Sequence, residues 1–107
     1  MIAEDDTLAG YVALHGRPPA FEGSDGRAYS VGVFSDEEPQ ADGRYGASLL
    51  FLRWSAASAP DGHLESEYLA WDRDATAAEA AVGRLSLLDV KRTLDALIAR
   101  GAGGRNR

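Results

Sequence analysis

Apolar residues recur with two different periods along this chain. Through the middle they alternate or run together in short solid stretches, and in the C-terminal third they return every three to four positions. The longest apolar run is Ala47-Ser48-Leu49-Leu50-Phe51-Leu52-Arg53-Trp54. As a strand it puts Leu49 and Phe51 on one face and Leu50, Leu52 and Trp54 on the other. A strand without a polar face belongs inside a sheet that is covered at least in part on both sides.

The neighbouring segments read as partners of this strand. Ala20 to Gly23 and Arg27 to Ser35 are strand-like, and in the latter Tyr29, Val31 and Val33 alternate with Ala28, Ser30 and Gly32. A fourth strand is expected within His63 to Trp71. Asp25-Gly26, Asp42-Gly43 and Asp61-Gly62 mark turns, because tight hairpin turns need φ > 0, which Gly adopts freely and Asp tolerates. Four strands joined by short connections in chain order predict an antiparallel meander.

Helical spacing brackets the strands. Leu8, Tyr11, Val12 and His15 predict a short helix capped by Asp5 or Asp6, with Gly16 at its C′ position and Pro18 beyond. Gly10 within it costs about 1 kcal/mol relative to Ala. Thr76-Ala77-Ala78-Glu79 has the form of a capping box and opens an alanine-rich helix that stops near Gly83. Ser86 caps the next helix, with Leu85 and Val90 as a hydrophobic staple. There Leu87, Val90, Leu94, Leu97 and Ile98 form one apolar stripe that ends at Gly101. The expected fold is α+β in the order α-ββββ-αα, with the last helix docked on the sheet. Residues 1–100 are read as one domain and 101–107 as a flexible basic tail.

Composition narrows the function classes. With 107 residues, 45% hydrophobic and 26% charged, the chain suits a single globular domain with its own core. The net charge of -6 repels phosphate backbones, so no nucleic-acid partner is expected. The absence of cysteine removes disulfides, thiolate catalysis and thiolate zinc sites. The first residues are acidic where a secretory signal would be basic, and no apolar run has the length of a membrane span. A soluble, bacterial-type cytoplasmic protein, not bound to a membrane, is the expectation.

His63, Glu65 and Glu67 would share one face of a strand, and one imidazole with two carboxylates suits a divalent metal or general acid/base work. The same pattern also describes a solvated strand face, with Arg53 as a cross-strand partner of the glutamates. Asp72 to Asp74 and Asp36 to Glu38 lack the ligand spacing of a known calcium loop. Neither a Gly-x-Ser-x-Gly elbow nor a glycine-rich phosphate loop occurs.

Aromatic residues are spread one or two per strand, on both faces. If the helices cover one face only, several stay exposed as a patch able to bind something. The residue pattern therefore favours a non-catalytic protein-interaction or self-associating module, needing no cofactor, whose partner is another protein or a second copy. Phe51, Arg53, Tyr68 and Trp71 are the expected interface residues, since aromatics and arginine dominate interface energetics. The alternative is a metal-dependent or acid/base enzyme built on His63, Glu65 and Glu67. A third reading is an acidic decoy carrying its carboxylates on one face.

Overall fold

The order of elements follows from the pattern just described, with one strand more than it predicts. A computed structural model describes residues 6–104. Helix α1 (Leu8–His15) precedes strands β1 (Ala20–Glu22), β2 (Ala28–Ser35), β3 (Tyr45–Trp54), β4 (Pro60–Glu65) and β5 (Ala70–Asp72). Helices α2 (Ala75–Gly83) and α3 (Leu87–Gly104) complete the α+β chain. β1 to β4 form an antiparallel meander in chain order.

The fourth expected strand is divided because its register slips. Leu50 faces Glu65 in β4, whereas Ala47 faces Ala70 in β5. Two residues of β3 thus oppose four on the edge strand, and Ser66 to Leu69 bulge away. Ser66 is buried at the break, where its hydroxyl replaces part of the ladder. Its Oγ accepts the Leu49 amide at 3.0 Å and donates to the Glu67 carbonyl at 2.7 Å. Its own amide donates to the Leu49 carbonyl at 2.9 Å. Ser66→Ala leaves the Leu49 amide without that acceptor, and a loss of about 1–3 kcal/mol is expected in urea unfolding.

Two of the three Asp-Gly pairs sit in turns, with Gly26 at φ 77° and Gly43 at φ 82°. The third does not. Asp61 and Gly62 lie within β4, and the β3–β4 connection instead closes through Ser55 to Ala59, where Ser58 takes φ 63°. The caps shift as well. Helix α1 begins at Leu8, so Thr7 rather than Asp5 or Asp6 is its N-cap, and its hydroxyl accepts the Gly10 amide at 3.0 Å. Asp5 lies outside the described residues. Helix α2 begins at Ala75, so the cap is Asp74, which accepts the Thr76 amide at 3.0 Å. Thr76 falls inside the first turn, and Glu79 accepts a hydrogen bond from the Ser35 hydroxyl. Ser86 caps α3 through the Asp89 amide at 3.0 Å. That helix runs through Gly101 to Gly104, and residues 105–107 lie outside the described ones.

The core settles which sheet face is covered. Tyr29, Val31, Leu49 and Phe51 alternate onto one face of β2 and β3, and they are buried with Ala78 and Val82 of α2 and Val90 and Leu94 of α3. Helix α1 lies on the same side. Its Leu8 joins that core, and a Cβ on Gly83 of α2 would come within 3.1 Å of the Ala9 Cβ. All three helices therefore form one layer against one sheet face.

Candidate interaction face

The other face of the sheet has no element against it. Alternation places Gly32 and Phe34 of β2, Ser48, Leu50, Leu52 and Trp54 of β3, and His63 and Glu65 of β4 there. Apolar side chains at its centre keep much of their surface in water: Phe34 is 45% exposed and Leu52 36%. Two shallow hollows flank the row formed by Leu50 and Leu52. One, of about 220 Å³, lies over Ser30, Gly32 and Phe34 beside Pro18. The second, of about 320 Å³, lies between that row and His63 and Glu65.

An aromatic corner closes one end. Trp71 faces Gly46 across β5 and β3, with the Arg44 guanidinium 5.7 Å from its ring centroid. Tyr68 meets Trp71 edge-on at 6.0 Å. A Cβ on Gly46 would sit 2.7 Å from the Tyr68 ring, so this glycine is what lets the tyrosine lie flat on the sheet. The Tyr68 hydroxyl donates to Asp36, which also accepts the Gly46 amide at 3.0 Å and the Gln40 amide group at 3.1 Å.

These contacts divide the four residues expected at an interface. Tyr68 and Trp71 are neighbours on the uncovered face, 38% and 43% exposed. Phe51 is fully buried under the helices. Arg53 points to the helix side, because it faces Tyr29 and Gly62 in the ladders. Its Nε meets the Asp61 carboxylate at 2.8 Å, and Arg27 reaches the other oxygen of that carboxylate at 2.6 Å. Arg53 is thus the partner of Asp61 and not of the glutamates. Gly62 makes the room, since a Cβ there would lie 2.6 Å from Arg53 Nη2.

His63 and Glu65 are adjacent on the uncovered face, but the alternation that would add Glu67 stops where β4 ends at Glu65. Among the described residues, no group of three His, Asp or Glu side chains is gathered so as to hold a metal ion. Glu65 accepts instead from the Ser48 hydroxyl at 3.3 Å.

Four aspartates have their carboxyls held below the usual range, Asp42 among them through the Arg44 amide and guanidinium. Asp36 is held down by the Tyr68 hydroxyl and the Gly46 amide, Asp61 by the Arg53 and Arg27 guanidiniums, and Asp95 by the Lys91 ammonium and the Ser24 amide. A depressed folded-state pKa contributes stability that is present above the unfolded value and lost as pH falls through the folded one. Unfolding midpoints in urea should therefore hold from neutrality to about pH 4 and fall below it, where unfolded aspartates take up protons first. Asp61→Asn should make that acid-side fall shallower.

Comparison with protein-family models, with curated proteins and with solved structures finds no match. Among the described residues, no helix is long and apolar enough to cross a membrane. The residues that sequence reasoning passed over are Gly32, Phe34, Leu50 and Leu52. The signal for Leu50 and Leu52 was the second apolar face of the central strand, and Gly32 and Phe34 lie beside them on β2.

Proposed function

We propose that the protein is a non-catalytic protein-interaction module that docks its partner on the uncovered face of its sheet. The observation that carries this reading is the set of large apolar side chains, Phe34, Leu52, Tyr68 and Trp71, left between 36% and 45% exposed on one face. A sheet face of this size normally packs against another layer. The edges suit docking less well. β1 has three residues, and the opposite edge opens on Pro60 and breaks at Ser66, features that discourage strand addition.

The test is retention of protein partners on immobilised chain. Trp71→Ala should weaken retention about tenfold or more, as loss of an aromatic anchor does. Its melting temperature should stay near the parent's, since a half-exposed side chain contributes little to the fold. Leu52→Asp should abolish retention. Equal retention by the parent and both variants would remove the face from consideration.

A further inference from the structure

We propose that the occupant of this face is a second copy of the chain, packed sheet to sheet about a two-fold axis that crosses β2 at Val33 and β3 at Leu49. This rests on the docking role of the face and names its partner. The argument begins with the ladder, where Phe34 faces Ser48 and Gly32 faces Leu50. Large and small side chains therefore alternate in both directions at the centre of the face. No atom lies within 4 Å of where a Gly32 Cβ would stand, so a hollow opens beside the Phe34 ring.

Val33 faces Leu49, so an axis lying in the interface across the strands at that level passes midway between Gly32 and Phe34 and midway between Ser48 and Leu50. Turning one copy about it sets Phe34 of each over Gly32 of the other. The same operation brings Leu50 of each to the level of Ser48 of the other, which is already covered within its own chain. The exposed Phe34 ring of each copy thereby meets the open hollow beside Gly32 of the other, a knob into a hole, as two sheets packed at about 10 Å separation require. An isologous contact needs one self-complementary patch, and this face has one. Leu52 comes over Gly46 of the other copy, where the Tyr68 ring lies.

Area and charge fit the same occupant. Strands β1 to β4, of three, eight, ten and six residues, about 4.8 Å apart and at about 3.3 Å per residue, present roughly 430 Å² of plane. Two copies bury roughly 900 Å² before side-chain relief is added, at the small end of interface sizes, so dissociation no tighter than micromolar is expected. Charged positions on the face fall on the outer strands, at Glu22, His63 and Glu65, and leave β2 and β3 uncharged at its centre. An apolar centre with a polar rim is the usual anatomy of such contacts. Each copy carries a net charge of -6, so added salt should strengthen the pair by screening the repulsion. A basic partner would respond to salt in the opposite direction.

Sedimentation equilibrium of the full chain, from about 1 µM to 1 mM and at two salt concentrations, tests this. The expected mass climbs from 11.4 kDa towards twice that value, and climbs earlier at high salt. Phe34→Asp should prevent the rise by burying a charge. Gly32→Val fills the hollow with a strand-favouring side chain. It should weaken association at least tenfold while melting no lower than the parent. A parent that stays monomeric at 1 mM overturns the second-copy inference, as does a dimer indifferent to both variants. If that monomer still retains a different protein, and Phe34→Asp releases it, the docking role stands and only the identity of the partner falls. If it retains none, both fall.

Discussion

Phe51→Ala lowers the unfolding free energy by about 3–5 kcal/mol, the range for emptying a buried aromatic site. Phe51 stands at the middle of β3, fully buried, between Val31 of β2 and Leu64 of β4. Strands hold it on both sides and helices cover it from above, so the site has little freedom to collapse around the vacancy. Urea unfolding at neutral pH measures the loss. A loss below about 1 kcal/mol would place Phe51 at a surface, where the residue pattern alone had put it. Association should be unchanged in the fraction that remains folded, because Phe51 points away from the uncovered face.

Leu94→Ala should cost about 2–5 kcal/mol. Leu94 is the fully buried centre of the α3 stripe, one turn beyond Val90. Helix α3 is joined to the sheet layer by few polar contacts, chiefly the Ser24 amide donating to Asp95 at 2.9 Å. Its attachment is therefore mainly apolar, and truncating its central residue should loosen the whole helix. Native-state hydrogen exchange should show α3 amides losing protection before those of β2 and β3. Equal losses across the molecule would mean that helix and sheet unfold only together.

The solid apolar run over Ala47 to Trp54 made the central strand legible, because both of its faces must meet something. The stripe from Leu87 to Ile98 likewise identified α3 as one of the helices that cover the sheet, since one continuous apolar face has to be buried. Local rules failed where a distant residue decides. Asp61-Gly62 has the chemistry of a turn, yet Asp61 is committed to Arg27 and Arg53, and Gly62 leaves space for the Arg53 guanidinium. Thr76 and Glu79 have the spacing of a capping box, but Asp74 stands one residue before the helix and takes the role. The break at Ser66 is equally hidden from periodicity, because a slipped register is a property of two strands.

The residues of the uncovered face were half legible for a related reason. Alternation separates two faces without saying which one the helices take. Phe51 and Leu52 are both apolar neighbours in one strand, and only the placement of α2 and α3 buries the first and leaves the second in water. Arg53 looked like a surface anchor because the partner that fixes it, Asp61, was read as part of a turn.

The central claim is that the uncovered sheet face is where this protein meets its partner. Amide chemical shifts followed by NMR as the chain is concentrated, or as a retained partner is added, test it most directly. The expected changes centre on Gly32, Phe34, Leu50 and Leu52 and extend to Trp71, with α1 and α2 unmoved. Changes centred instead on Val12, Ala13 and Ala80, in the groove between those helices, would contradict the account.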